Sequence, residues 1–107
     1  MGSLYGARPF RSTAVGTNGG ATITVSAPDT GLSNYPTNIQ CSGDAAALVT
    51  VESPASTVLY RKRFAAAFNM SETFQPRVFG TTAALVVKVS ASTSNSEANV
   101  QGFTETL

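Results

Sequence analysis

The segment TAALVVKVSAS, residues 82–92, has the most regular alternation of apolar and polar side chains in the chain. Successive side chains of a strand point to opposite faces, and β-branched residues are favoured there. The segment therefore predicts a half-buried β-strand. Its inward positions are Leu85, Val87 and Val89, and its outward positions are Val86, Lys88 and Ser90.

The same period of two recurs on both sides of this strand. Further predicted strands are ATITVSA (21–27), DAAALVTV (44–51) and a short final VQGFTETL (100–107). Predicted loops are PDTGLSNYPTN (28–38), ESPAS (52–56) and TSNSEAN (93–99). Roughly six to eight short strands at a spacing of about ten residues are typical of all-β folds. We therefore expect a small antiparallel β-sandwich or jelly roll with an extended N-terminal arm.

The length of 107 residues suits a single domain. Residues 1–20 contain glycine, arginine, proline and isolated aromatics without periodicity, and they end in the turn sequence TNGG. We predict an N-terminal arm over 1–20 and a single β-sandwich domain over 21–107. Such arms often become ordered only on a partner. Its candidate anchors are Leu4, Tyr5 and Phe10.

The charge balance argues against a polyanionic partner. Seven Lys and Arg side chains face six Asp and Glu, which gives a net charge of +1. Dedicated nucleic-acid binders usually carry a strong basic excess. No apolar run approaches the ~20 residues of a membrane span, and the N-terminus lacks the pattern of a signal peptide. We expect no nucleic acid and no membrane as partners, and synthesis in the cytoplasm.

The residues needed for catalysis are scarce. The chain has no histidine, which is the commonest general base and metal ligand. Its carboxylates are scattered over separate segments, and Cys41 has no histidine to activate it. We therefore predict no catalytic residue, no cofactor and no metal, and a buried, inert thiol at Cys41.

The segment YRKRFAAAF, residues 60–68, concentrates charge. A helix would align Tyr60, Phe64 and Phe68 in an apolar stripe. A strand over 57–64 would place Tyr60, Lys62 and Phe64 on one face, with the Lys62 stem reaching solvent at an edge. The start of the segment is β-branched and aromatic and has no helix cap, which favours the strand. The outward positions of that strand are Leu59, Arg61 and Arg63.

Two functions fit this basic cluster. Arg61, Lys62 and Arg63 could join the neighbouring aromatics in a platform for single-stranded nucleic acid. Alternatively, they lie on an edge strand, where they pair with carboxylates of the same or another subunit or prevent aggregation. The near-neutral net charge favours the second interpretation.

Two long segments resemble small virion proteins of tailed phages. They are residues 39–68, beginning IQCSG, and residues 79–105, beginning FGTTAALVVKVSAS. The family opens its domain with an I-x-x-S-G strand and later has a G-x-A-L-x-x-x-x-S-A strand, a small polar loop and a final strand. The matching residues are Ile39, Ser42, Gly43, Ala84, Leu85, Ser90 and Ala91, and Gly80 lies two residues before the glycine position of the second pattern.

The resemblance implies a non-enzymatic structural protein that decorates or cements the outer capsid surface of a virion. The implied partners are the major capsid protein and further copies of the chain, with a homotrimer favoured. Arginines of the arm would meet an acidic capsid surface. A phage fibre or tail component that recognises host-surface glycans is the alternative. The candidate partner interface is Leu4, Tyr5, Arg8, Phe10, Arg11, Tyr60, Arg61, Lys62 and Arg63.

Overall fold

The computed structural model describes residues 8–75, 79–91 and 95–106. These residues form eight β-strands and contain no helix. The strands are β1 (Arg8–Gly16), β2 (Ala21–Val25), β3 (Leu32–Gly43), β4 (Ala47–Glu52), β5 (Val58–Phe64), β6 (Phe68–Thr73), β7 (Leu85–Ser90) and β8 (Ser96–Thr106).

The strands form two antiparallel sheets of four strands each. The first, called the β1 sheet, has the order β1-β8-β3-β6, and the second, called the β5 sheet, has the order β2-β7-β4-β5. In both sheets, strands that are far apart in sequence are therefore neighbours, such as β1 and β8 or β2 and β7. This is the Greek-key connectivity of an eight-stranded jelly roll. The prediction of an all-β sandwich or jelly roll is confirmed, in its jelly-roll form.

The core lies between the two sheets and is built from alternate residues of the central strands. The predicted inward positions of β7 are confirmed, because Leu85, Val87 and Val89 are 0%, 0% and 1% exposed. Ile39 and Val100 face them from the β1 sheet and are 0% and 1% exposed. Removal of this apolar surface from water is the main force that holds the sheets together.

The predicted arm is wrong over Arg8–Gly16, which form β1 and pair with β8 along their whole length. The positions of β1 that face the core include Ser12 and Ala14. Such small side chains give no apolar periodicity, which is why the sequence did not predict the strand. The sandwich therefore includes residues well before the predicted boundary at 21. Two of the predicted anchors, Leu4 and Tyr5, lie outside the described residues.

The predicted loop over 28–38 is also shorter than expected, because β3 begins at Leu32. The pairing of β3 with β8 shifts by one residue between Pro36 and Asn38. A proline cannot donate to a ladder and is tolerated at such an irregularity. Two prolines and several turn-forming residues thus concealed the first half of a long strand.

The sheet order defines two lateral sides of the sandwich. Strands β1 and β2 are the edge strands at one side, where they contact each other. Strands β5 and β6 are the edge strands at the other side, joined by the short loop 65–67. The basic cluster of β5 and the arginines of β1 therefore lie on opposite sides.

Candidate functional site: the basic edge strand

The basic cluster lies on β5, at the edge of its sheet. The prediction of a strand over 57–64, rather than a helix, is confirmed by the strand Val58–Phe64. Strand β5 pairs with β4 on one side, and in the described part of the chain no strand pairs with its other side. We call Val58–Phe64 the β5 edge. Its free backbone groups can accept a further strand or contact another chain.

The register with β4 fixes which face each cation uses. Lys62 pairs with Val49, whose side chain is 0% exposed and points into the core. Arg61 and Arg63 pair with Thr50 and Leu48, which belong to the opposite face. The predicted division is confirmed: Lys62 is in the inward register, and the two arginines lie on the outer face of the β5 sheet.

Lys62 reaches solvent although it is in the inward register. Its side chain is exposed, and Nζ lies 5.6 Å from the centroid of the Phe64 ring. The aliphatic stem can follow the edge of the sandwich while the ammonium group stays hydrated. The ring also attracts the ammonium group, by about 0.5–1 kcal/mol at an exposed site.

The aromatic residues near the cations close the sandwich. The rings of Phe64 and Phe68 are stacked, with centroids 4.2 Å apart and planes 7° apart. Tyr60 packs edge-on against Phe74 at 5.5 Å. Phe74 belongs to the core cluster, and the other three rings pack against that cluster. Because these rings already pack on one another, they are not free to stack on bases. The arrangement therefore favours an edge strand over a stacking platform for nucleic acid.

Tyr60 connects the two sheets through its hydroxyl group. The hydroxyl donates a hydrogen bond of 3.1 Å to Glu72 Oε1 on β6. Burial raises the pKa of Tyr60, and the bond to the Glu72 carboxylate raises it further. Tyr60 therefore contributes to closure of the sandwich at the side where the cations lie.

The carboxylate on the outer face of the β5 sheet already has partners. Glu52 Oε1 accepts the Ser56 backbone N–H at 2.8 Å, and Oε2 accepts Thr50 Oγ1 at 3.1 Å. Lys88 Nζ lies 3.0 Å from Oε2. The Ser56 hydrogen bond, followed by that of Lys88, lowers the pKa of Glu52. Within the described ranges, no ion pair neutralises Arg61, Lys62 or Arg63.

Charge is divided unevenly over the sandwich. The β5 sheet has four cations and one carboxylate, a net charge of +3, whereas the other described residues have two arginines and five carboxylates, a net charge of −3. The charged residues of the β5 sheet are Glu52, Arg61, Lys62, Arg63 and Lys88. Those elsewhere are Arg8, Arg11, Asp29, Asp44, Glu72, Glu97 and Glu105.

The structure does not bring the two groups of predicted interface residues together. Arg8 and Arg11 are exposed on β1, at the lateral side opposite to the β5 edge. Phe10 is half-buried and packs with the core cluster. Of the β1 residues predicted to bind a partner, only the arginines therefore present their side chains freely.

A cleft with two carboxylates was not predicted from the sequence. It has a volume of about 380 Å³ and lies where the end of β1, the β3–β4 loop and the start of β8 meet. Asp44 and Glu97 line it, together with Val15, which is 71% exposed. We call Val15, Asp44 and Glu97 the acidic cleft. These residues are distant in sequence and become neighbours only through the pairing of β8 with β1 and β3.

A second unpredicted surface is the polar outer face of the β1 sheet. A cleft of about 320 Å³ runs across it, with Arg11 at one end. The cross-strand pairs Asn38–Gln101 and Gln40–Asn99 place four amide side chains on this face. The alternation of polar residues on β8 could have indicated this face, because a period of two puts them on one side.

Cys41 is a buried thiol, as predicted. It is 2% exposed, and burial raises its pKa to about 11. Across the described residues, no three side chains of His, Cys, Asp or Glu form a group that could bind a metal ion. The same residues include no helix with the length and apolar character needed to cross a membrane.

Comparison with known proteins identifies a shared fold but no family. No protein-family model matches the chain, and no curated protein is significantly similar in sequence. A solved structure from work showing that Bacillus endospore appendages form disulfide-linked pili has a TM-score of 0.51 at 9% identity, over 95% of this chain and 89% of that chain. This likeness supports the fold assignment alone.

Two other solved structures are more distantly similar. The virus-like particle of the extra small virus of the prawn Macrobrachium rosenbergii has a TM-score of 0.38 at 7% identity, over 95% of this chain and 81% of that chain. A mitogen from Yersinia pseudotuberculosis has a TM-score of 0.39 at 11% identity, over 87% of this chain and 86% of that chain. At these TM-scores neither supports an inference about this chain.

Proposed function

We propose that this chain is a structural virion protein that binds the outer surface of a capsid and stabilises the shell as a decoration or cement protein. The observation that carries the proposal is the free β5 edge, whose three cations have no carboxylate partner in the described structure. Such an edge is suited to contact with other protein chains.

The jelly-roll topology supports a role in assembly. Domains of this architecture occur in viral capsids and in lectins, although a fold alone does not specify a function. The fold neighbour from Bacillus endospores builds disulfide-linked pili. Cys41 is buried and its thiol stays protonated, so it is unsuited to a link of that kind. We therefore propose that this chain assembles through non-covalent contacts.

The N-terminal residues supply the second part of the proposed capsid contact. Arg8 and Arg11 are exposed and can meet an acidic shell surface. Residues 1–7 precede β1 and contain the predicted anchors Leu4 and Tyr5. Since β1 begins at Arg8, removal of residues 1–7 tests the anchors and leaves β1 whole.

The proposal is tested on purified particles. Quantitative peptide mass spectrometry gives the number of copies of this chain per copy of the major shell protein. We expect a ratio near one, or a simple fraction set by the symmetry of the lattice. A few copies per particle would indicate a fibre or tail component instead, and complete absence of the chain would refute a virion role.

Binding to the shell is tested with particles that have been stripped of this chain. We expect the natural chain to bind again and to raise the temperature at which the particle opens. The variant that lacks residues 1–7 and the variant Arg8→Glu/Arg11→Glu should bind more weakly. Equal binding of both variants would refute the proposed contact through the N-terminal segment.

Glycan recognition is a second candidate function, as part of a fibre or tail. It is favoured by the polar outer face of the β1 sheet, where four amide groups and Arg11 line one cleft. Amide and guanidinium groups are suitable hydrogen-bond partners for sugar hydroxyls. Binding of the purified chain to surface polysaccharide, and its loss in Gln40→Ala or Gln101→Ala, would support this function over decoration of the shell.

A further inference from the structure

We infer that the β5 edge of one copy binds the acidic cleft of a second copy, in a head-to-tail contact. The inference rests on the proposed structural role, because it names the surface through which copies associate. It commits to a second copy of this chain as the partner. Three observations on the described residues support it: the charge of each surface, its exposed apolar residues and its position on the sandwich.

The first observation is charge complementarity. Arg61 and Arg63 point outward from the same face of β5, and neither has a carboxylate partner in the described structure. Two residues along a strand separate them by about 7 Å. Asp44 and Glu97 are exposed in the acidic cleft, and no cation lines it. A contact between the two surfaces would pair charges that a single copy leaves unmatched.

The second observation concerns exposed apolar side chains. The large hydrophobic residues that are exposed in the described part of the chain are Val15, at 71%, and Val58, at 46%. Val15 lines the acidic cleft, and Val58 begins the β5 edge. Each charged surface therefore has one apolar residue that gains from burial. Apolar contact within a charged rim is the usual composition of a protein interface.

The third observation is the position of the two surfaces. The β5 edge is at the lateral side formed by β5 and β6, whereas the acidic cleft lies at one end of the β1 sheet, where Val15 on β1, Glu97 on β8 and Asp44 after β3 line it. The two surfaces have no residue in common. One copy can therefore use both surfaces at once. A head-to-tail contact of this kind closes into a ring or continues into a filament. The trimer predicted from the sequence would be the smallest such ring.

A nucleic acid is the competing partner for the same cations. The stacking of Phe64 on Phe68 and the packing of Tyr60 on Phe74 occupy rings that a single strand would need. The net charge of +1 also gives little long-range attraction for a polyanion. The β5 edge therefore fits a protein surface with a few carboxylates better than a phosphate backbone.

The test is sedimentation of the purified full chain over a range of concentrations. We expect association that weakens as salt is raised from about 0.05 M to about 0.5 M, because exposed charges are screened. The variants Arg61→Glu/Arg63→Glu and Asp44→Arg/Glu97→Arg should each associate at least about tenfold more weakly. A mixture of the two variants should form a complex, since each retains the surface that the other needs.

The matched control is Arg8→Glu/Arg11→Glu, which changes the net charge by the same amount as the β5 variant but at the opposite edge. It should associate like the natural chain. Circular dichroism should show that all variants are folded, because every substituted side chain is exposed. A monomeric natural chain at all concentrations, unchanged association of the β5 variant, or failure of the mixture to form a complex would overturn the inference.

Two further outcomes separate this inference from the proposed function. If the chain binds particles but stays monomeric in solution, the inference fails and the virion role stands. If it associates through these surfaces but is absent from particles, the virion role fails alone. Binding of labelled oligothymidylate that is lost in Arg61→Glu/Arg63→Glu, without self-association, would overturn the inference in favour of nucleic acid.

Discussion

Lys88 and Glu52 form an ion pair of 3.0 Å in which the lysine side chain is 38% exposed and the glutamate side chain only 6%. Glu52 also accepts hydrogen bonds from Thr50 and from the Ser56 backbone. One carboxylate thus joins the end of β4, the β4–β5 turn and strand β7. Glu52 is also the one carboxylate of the β5 sheet. Because it is bonded to Thr50, Ser56 and Lys88, it does not pair with the cations of β5, and these remain available to a partner.

The variant Glu52→Gln should lower the free energy of unfolding by about 1–3 kcal/mol at neutral pH, because it removes hydrogen bonds to a charged group. The pKa of Glu52 is lowered in the folded chain. Its contribution is therefore complete above the unfolded pKa of about 4.3 and is lost as pH falls through the folded pKa. Urea unfolding between about pH 7 and about pH 3 should show a flatter acid dependence in the variant.

The matched control is Glu97→Gln, whose side chain is exposed. It should change the free energy of unfolding by no more than about 0.5 kcal/mol and should retain the acid dependence of the natural chain. Identical acid curves for Glu52→Gln and the natural chain would show that the ion pair does not stabilise the fold.

Leu85 should be among the most costly residues to truncate, because it is 0% exposed in the core between the two sheets. Leu85→Ala should lower the free energy of unfolding by about 2–5 kcal/mol through lost burial and a residual cavity. Leu48→Ala, on the half-exposed outer face of β4, should cost clearly less. Chemical denaturation of both variants measures the difference, and equal losses would contradict the assignment of the core.

Much of the fold could be predicted from the alternation of apolar and polar residues along the sequence. It identified β7 because the inward side chains of that strand are large, apolar and buried in the core. It identified β5 because the partly buried Tyr60 and Phe64 alternate with the exposed Arg61 and Arg63. It failed for β1, whose inward Ser12 and Ala14 give no apolar signal. It failed for the start of β3, where Pro36 sits at a shift in the pairing and resembles a loop residue.

The candidate site was only half predictable for a related reason. Arg61, Lys62 and Arg63 are adjacent in sequence, so alternation alone assigned their faces. The acidic cleft is formed by residues of three separate elements: Val15 on β1, Glu97 on β8 and Asp44 in the β3–β4 loop. Only the long-range pairing of β8 with both β1 and β3 makes them neighbours, and a local pattern contains no information about that pairing.

The thiol of Cys41 should be almost unreactive in the folded chain. It is 2% exposed, and its pKa of about 11 leaves a small thiolate fraction at mildly alkaline pH. Titration with an aromatic disulfide reagent at about pH 8 should be at least about two orders of magnitude slower than in about 8 M urea, because the thiolate is the reactive form. A native rate close to the rate in urea would show that the β3–β8 pair opens readily.

Gly102 should not tolerate a side chain, because the backbone of the neighbouring strand β3 approaches it closely. A Cβ atom at this position would lie 2.2 Å from the Tyr35 carbonyl oxygen and 2.8 Å from the Phe10 ring. The backbone of β3 cannot move away without loss of its pairing with β8. Gly102→Ala should therefore lower the free energy of unfolding by about 1–3 kcal/mol, as other overpacked sites do.

The control for this substitution is Gly19→Ala, since a Cβ atom there would have no neighbour within 4 Å. Thermal and urea unfolding of the two variants should differ clearly, with Gly19→Ala within about 0.5 kcal/mol of the natural chain. Gly102 lies between Phe10 and Pro36 in the β1 sheet, so its substitution should also disturb the edge strand that contains Arg11. Equal stability of both variants would mean that β3 and β8 are further apart at this point than the structure has them.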